Sequence, residues 1–255
     1  MNFAVLSFLC LLVNDVAFSK NVKIIGGQPA FIFEFPHQVS LRVLRTNQFG
    51  CAGTIITKWH VLTVAHCFAR MEHASDEIVV YAGSNTISSV GDRYYKLTRI
   101  HIHPGYTGII NRNESYVHDI AVVTLQDPLT FNSHQNKIDL PTEDIPIGSI
   151  GLVSGWGSLT YPMFVFSDYL QKTVMKVLNK LYCKSAFFFS IHDGQFCGVF
   201  TRGVGLCLGD SGSAFVVNQK IIGISSFVLP CAIGKPDVFV NVYYYLDFIR
   251  SIIET

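Results

Sequence analysis

The chain has 255 residues, 49% of them hydrophobic and 15% charged, against a charged share of about 25% in ordinary soluble domains, so a sizeable core can form and intrinsic disorder is excluded. The 19 basic and 18 acidic side chains give a formal charge of +1, too weak a field to gather nucleic acid or anionic lipid. Seven cysteines are an odd number, which in an exported chain leaves one thiol to be explained.

Residues 1–19 read as a signal peptide. Phe3 to Val13 is a nearly continuous apolar run, Asn14-Asp15 ends it, and Ala17-Phe18-Ser19 is a small-x-small cleavage pattern. About 20 apolar residues are needed to cross a bilayer, so the run is too short for an anchor and no membrane association is expected. Removal of this segment takes Cys10 with it. The remaining cysteines would then sit in an oxidising, extracellular setting where disulfides are the default. Asn113-Glu114-Ser115 reads there as a glycosylation acceptor or as an unmodified polar loop.

Farther along, apolar and polar residues alternate in short segments. Val39, Leu41 and Val43 stand against Gln38, Ser40 and Arg42, which is the period of a half-buried strand. Comparable strands are predicted at Gly53–Lys58, Ile78–Ala82, around Leu97, Ile100 and Ile102, and at Ile120–Leu125, Ile150–Ser154, Leu170–Leu178, Ala214–Val217, Ile221–Phe227 and Val238–Val242. Many short strands separated by Gly, Pro, Asn and Asp point to an all-β barrel or sandwich. The one long helical period is terminal, with Leu246, Ile249, Ile252 and Ile253 inside Tyr243–Thr255. Neither a low-complexity linker nor a repeat is visible. His101 and His103 share a strand face, but no third ligand accompanies them, so no metal is expected.

Four segments carry chemistry: Ile24-Ile25-Gly26-Gly27 after Lys23, Thr63-Val64-Ala65-His66-Cys67, His118-Asp119-Ile120-Ala121 and Gly209-Asp210-Ser211-Gly212. Singly each is only moderately informative. In this order, with a fitting cysteine arrangement, they resemble the trypsin and chymotrypsin family of serine proteases (peptidase family S1) across residues 24–255.

The resemblance implies two six-stranded antiparallel Greek-key β-barrels packed together, a C-terminal α-helix and an active site between the barrels. It implies a secreted, monomeric serine endopeptidase that needs no cofactor and acts on protein or peptide substrates. A serine hydroxyl is too weakly acidic to attack an amide until a base removes its proton. Ser211 would be the nucleophile, His66 the base and Asp119 the group that orients and stabilises the imidazolium, in the His, Asp, Ser order of this family. Backbone N–H groups of Gly209 and Ser211 would form the oxyanion hole.

The resemblance also implies a zymogen. Residues 20–23 would be a short propeptide, and a trypsin-like activator would cut after Lys23. The freed Ile24 ammonium would then pair with Asp210, a buried carboxylate that is costly without a partner. Six cysteines allow 15 pairings; family resemblance selects Cys51–Cys67, Cys183–Cys197 and Cys207–Cys231. The loop after Gly83 begins Ser84-Asn85 and lacks the acid of calcium-binding members, so calcium is not expected.

For the primary pocket, the resemblance places Gly205 and Leu206 at the base, Ser226-Phe227-Val228 along one wall and Asp237 near the other. Trypsins have an aspartate where this chain has Gly205. An acid at 237 opposite a glycine looks like the broad-specificity collagenolytic proteases of arthropods, whereas Val228 narrows the entrance in elastase-like fashion. The expected preference is apolar, chymotrypsin- or elastase-like or broad, in a digestive enzyme subject to proteinaceous inhibitors. A limited-proteolysis defence role and a catalytically silent binding protein or venom component are the competing readings. Two departures stand out: Ser213-Ala214 replaces the usual Gly-Pro, and Tyr161-Pro162-Met163-Phe164-Val165-Phe166 is unusually apolar for a loop.

Overall fold

The computed structural model describes residues 24–69, 78–89, 93–109, 115–228 and 231–254. The expected leader (1–19), the propeptide with Lys23 and the Asn113 acceptor lie outside the described residues.

The chain opens with a two-residue strand, β1 (Gln28–Pro29), and then builds a first barrel from β2 (Gln38–Val43), β3 (Gln48–Ile55), β4 (His60–Thr63), β5 (Ile78–Ala82), β6 (Tyr94–Ile102) and β7 (Ala121–Leu125). A single turn of helix, α1 (His66–Ala69), follows β4. The barrel closes in the order β2-β3-β4-β7-β6-β5. The second barrel uses β8 (Ile150–Gly155), β9 (Gln171–Val177), β10 (Gln195–Val199), β11 (Ala214–Val217), β12 (Lys220–Phe227) and β13 (Asp237–Asn241), and pairing of β8 with β9 closes it. In each barrel the fourth strand returns beside the first, so β5 lies next to β2 and β11 next to β8, which is the Greek-key order. Two more helices, α2 (Lys180–Ala186) and α3 (Leu246–Ile253), complete the chain.

Side-chain alternation sets which face is inward. In β9, Gln171, Thr173, Met175 and Val177 are buried while Val174 and Lys176 are exposed, the period of a sheet with one solvated face. The first barrel's apolar interior, with Val39, Leu41, Ile55, Leu62 and Val123, is continuous with Ile224, Val240 and Ile249 from the second half of the chain. A smaller cluster of Val153, Met175, Leu206, Phe215 and Phe239 fills the second barrel.

Strand boundaries depart from the sequence pattern where neighbours decide them. The strand expected at Gly53–Lys58 runs from Gln48 to Ile55, with Gly53 inside it. A Cβ at Gly53 would lie 2.7 Å from Val61 Cγ1, so close packing against β4 requires glycine there. Strands β4 and β10 are short and carry little alternation, which is why the pattern does not reveal them. The terminal helix begins at Leu246, later than Tyr243, because Asn241 Oδ1 accepts the N–H groups of Tyr243 (3.0 Å) and Tyr244 (3.4 Å) in a turn before it. Helix α2 is announced only by its cap, Asn179 Oδ1 accepting from Leu181 N at 2.8 Å.

The disulfides are Cys51–Cys67, Cys183–Cys197 and Cys207–Cys231, spanning 16, 14 and 24 residues. These are the pairs the resemblance implied. Among the described residues no helix is long and apolar enough to cross a membrane.

Candidate active site

Where the two barrels meet, three loop segments bring together His66, Asp119 and Ser211. Thr63-Val64-Ala65 leads from β4 into α1, and the first residue of that helix is His66. Its backbone N–H donates to Asp119 Oδ1 at 2.8 Å, and its ring Nδ1 lies 2.8 Å from Asp119 Oδ2. A carboxylate can only accept, so Nδ1 carries a proton, and in the neutral imidazole Nε2 is left with a lone pair. That lone pair faces Ser211 Oγ at 2.9 Å. Asp119 is fully buried, but it is not short of donors, since Ser226 Oγ also gives its hydrogen to Oδ2 at 2.6 Å.

The Ser211 loop is pinned from both barrels. Ala52 N of β3 donates to Ser211 O at 2.8 Å, and Gly212, at φ +86, packs so closely that a Cβ would lie 2.1 Å from Ala52 O. Asp210 N, Gly212 N and Ser213 N are all spent on backbone carbonyls of Cys207, Ser225 and Asp210. Among the described residues the N–H groups of Gly209 and Ser211 have no such acceptor.

Asp210 lies behind the loop, wholly buried, where it accepts from Gly157 N at 2.8 Å and Cys207 N at 3.0 Å. Burial pushes its carboxyl up to about 6, against which those two N–H groups pull. Gly155 and Gly157 form the cradle. A Cβ on either would come within 2.1 or 2.2 Å of the Asp210 carboxylate oxygens, so the Gly-Trp-Gly sequence is required by this carboxylate. At the start of the described chain, Ile24 is fully buried and Gly205 N donates to Ile25 O at 3.1 Å.

The trypsin family model matches residues 24–249, almost the whole described chain. The chain belongs to the trypsin family of serine proteases. It is 31% identical to chymotrypsin-2 of the hornet Vespa crabro, over 89% of this chain and 99% of that one. Brachyurin of the crab Leptuca pugilator is 30% identical, over 89% and 97% of the two chains. Among solved structures, neuropsin, a serine protease of mouse brain, superposes with a TM-score of 0.79 at 25% identity, over 88% of this chain and 97% of that one. Membership makes the protein a serine-type endopeptidase, for which protein or peptide substrates follow.

One side of this site is aromatic. A cleft of about 280 Å³ opens beside His66 and Ser211, walled by Tyr116, Phe188, Phe189, Phe227 and Val228. The rings pack on one another: Phe189 to Phe227 at 5.4 Å, Tyr116 to Phe227 at 5.8 Å, and Tyr116 to the His66 ring at 5.4 Å between centroids. Tyr116, Phe188 and Phe189 are not predicted from the sequence, because no motif marks them and their convergence depends on the barrel-to-barrel packing. One hint was present, the run of three phenylalanines in Phe187-Phe188-Phe189.

Gly205, Leu206 and Asp237, expected at the base and far wall of the primary pocket, are not among the residues that wall this cleft. Leu206 does not line this cleft; its side chain is fully buried in the second-barrel core against Val153, Phe215 and Phe239, with Val228 packed on that cluster. Asp237 also lies outside the lining. Its Oδ2 accepts from Leu206 N at 2.9 Å and occupies the space beside Gly205, where a Cβ would approach it to 3.2 Å. Burial pushes the Asp237 carboxyl up to about 8. Gly205 is therefore small because a buried carboxyl stands next to it.

The Ser213 departure also has a cause. Gln38 Nε2 donates to Ser213 Oγ at 3.1 Å and Ser154 Oγ donates to Gln38 Oε1 at 3.2 Å, a buried polar relay across the barrels. His101 and His103 part company, His101 Nε2 meeting Thr124 Oγ1 at 3.1 Å while the His103 ring stacks on His118 at 4.6 Å.

Proposed function

We propose that this protein is a secreted serine endopeptidase, made as a zymogen, that cleaves beside apolar residues through an acyl-enzyme on Ser211. The observation that carries the reading is the unbroken hydrogen-bond chain from Ser211 Oγ through His66 and Asp119 to Ser226. His66 Nε2 takes the Ser211 proton as Oγ adds to the substrate carbonyl, and later delivers it to the leaving amine. Asp119 holds the ring in the needed tautomer and balances the imidazolium. The developing oxyanion is met by Gly209 N and Ser211 N, a contribution of about 3 to 4 kcal/mol per donor in comparable sites. Water then attacks the acyl-enzyme with His66 again as base.

The activation step is supported by two features. Asp210 is a fully buried carboxylate with no basic side chain paired to it among the described residues. Ile24, β-branched and fully buried, is held at φ +38, a backbone region such residues avoid. Cleavage after Lys23 releases that backbone and supplies an ammonium for Asp210. The six paired cysteines and the apolar leader support export, and a digestive role fits a chain whose matched region is one peptidase domain.

For specificity, the aromatic cleft and the buried Asp237 favour apolar or aromatic substrate side chains over arginine and lysine. A carboxyl with a value near 8 is largely uncharged at neutral pH. Ser211→Ala should abolish both turnover and labelling by a serine-directed phosphonate. Persistent labelling would mean a different nucleophile, and profiling of a peptide library that found cleavage only after arginine or lysine would overturn the apolar preference.

A further inference from the structure

The apolar segment 161–166 takes no part in the chemistry above, yet it ends on the catalytic loop. It is the tip of a hairpin whose stem is held by an isolated bridge between Ser158 and Phe166 and by Leu159 N donating to Val165 O at 2.8 Å. From that stem Ser158 N donates to Leu208 O at 2.8 Å. The Leu208–Gly209 peptide is trans, so its C=O and N–H point in opposite directions. Fixing Leu208 O on the hairpin therefore aims Gly209 N–H the other way, away from Ser158.

The same hairpin covers the other half of Gly209. The α-carbon, at φ +96, is faced by two ring edges, and a Cβ there would lie 2.8 Å from Phe166 Cε1 and 3.0 Å from Phe49 Cε1. Those rings meet each other edge-to-face at 6.0 Å, and Phe49 rests edge-on against the buried Trp156 at 6.2 Å. Glycine is the residue with the widest backbone freedom, so an unsupported Gly209 would sample orientations that lose the oxyanion contact.

We propose that Phe166 is a positioning residue for the oxyanion donor: with Phe49 it clamps the Gly209 backbone while Ser158 N–H orients the peptide. The inference rests on the reading of Gly209 as an oxyanion donor. It gives the apolar hairpin a task in the reaction, and it predicts an effect on the transition state with little on ground-state binding.

The test compares Phe166→Ala, Phe166→Tyr and Phe49→Leu in the processed enzyme, at equal concentrations of phosphonate-titrated active sites. Two probes share one peptide sequence, an aldehyde that forms a tetrahedral adduct on Ser211 and the corresponding alcohol that cannot. Phe166→Ala should lower kcat about tenfold with KM within about twofold, less than the 10²- to 10³-fold cost of deleting a donor outright because the N–H remains. The aldehyde should weaken by the same factor and the alcohol should not change. Phe166→Tyr should restore both values, and Phe49→Leu should repeat the pattern more mildly. Unchanged kcat and aldehyde affinity would overturn the inference, as would equal weakening of aldehyde and alcohol, which would make Phe166 a substrate contact. Should Phe166→Ala fail to fold, Phe49→Leu alone decides. If Ser211→Ala still labels, the functional reading itself fails; if it does not and Phe166→Ala is as active as the parent, only the clamp is lost.

Discussion

Ser226 Oγ donates to Asp119 Oδ2 at 2.6 Å, on the same oxygen that faces His66 Nδ1. Ser226 comes from β12 of the second barrel, and Asp119 from the end of a first-barrel loop. The carboxylate is thus fixed from both sides of the barrel junction, with His66 N–H on its other oxygen. Ser226 also lines the cleft beside His66 and Ser211.

Ser226→Ala removes that donor and leaves the buried Asp119 with His66 alone. Hydrogen bonds to charged groups are worth about 1.5 to 3 kcal/mol, so kcat should fall about 10- to 100-fold. Steady-state kinetics on a peptide amide would check it. A variant with parental kcat would show that His66 holds Asp119 unaided.

Stability of the chain not cleaved after Lys23 should fall as pH rises, because of the two buried carboxyls. Asp210 and Asp237 are raised by burial to about 6 and about 8, so between the ordinary carboxylate range and those values the folded chain binds more protons than the unfolded one, and the unfolding free energy declines with pH. The stabilisation is complete below the ordinary carboxylate range and is lost as pH passes through about 6 and then about 8. Asp237→Asn removes the upper part of that decline. Denaturant titrations in the Ser211→Ala background, which avoids self-digestion, should give a flatter curve between about pH 6 and about pH 8; parallel curves would refute the assignment.

Gly157→Ala places a methyl group 2.2 Å from Asp210 Oδ2 in a cradle with no room to yield. Overpacking of this kind costs about 1 to 3 kcal/mol, and here it also displaces the carboxylate from Gly157 N. The thermal midpoint should drop and phosphonate labelling should slow. A variant that melts and labels like the parent would mean the Asp210 seat is pliable.

Phe189→Ala opens the aromatic wall at its contact with Phe227. Substrates with an aromatic side chain on the acyl side of the scissile bond should lose about 1 to 2 kcal/mol of binding, a KM about 5- to 30-fold higher at unchanged kcat. Small-residue substrates should be nearly unaffected. Equal losses on both kinds would place Phe189 in support of the loop and not in recognition.

What could be read in the sequence follows from how local each signal is. His66, Asp119, Ser211 and the Asp210 neighbour sit in short motifs whose residue types are fixed by chemistry, and the cysteines are fixed by bond formation. The strands with strong alternation, such as β2 and β9, could be read from periodicity. Leu206 could not, since its burial depends on Val153, Phe215 and Phe239 arriving from three other strands. The same holds for Tyr116, which reaches His66 from a loop with no motif, and for Ser213, whose meaning lies in Gln38, distant in sequence. Nor could the partner of Asp237 be read, since its carboxyl accepts from Leu206 N, a backbone contact that no motif marks.

The outermost described elements, β1 and α3, are exchanged between the barrels. Strand β1, at the start, pairs with β9 of the second barrel, while the end of the chain lays Phe248 of α3 on His103 at 4.9 Å and Tyr245 on His118 of the first. Among the described residues each disulfide stays within one barrel or its adjoining loops. Beyond their shared core and the polar contacts of Ala52, Gln38 and Ser226, the halves carrying His66 and Ser211 are joined by this reciprocal exchange, and among the described residues no disulfide links them. Phe248→Ala, at the contact of α3 with His103, should loosen the alignment of His66 with Ser211 while both barrels stay folded.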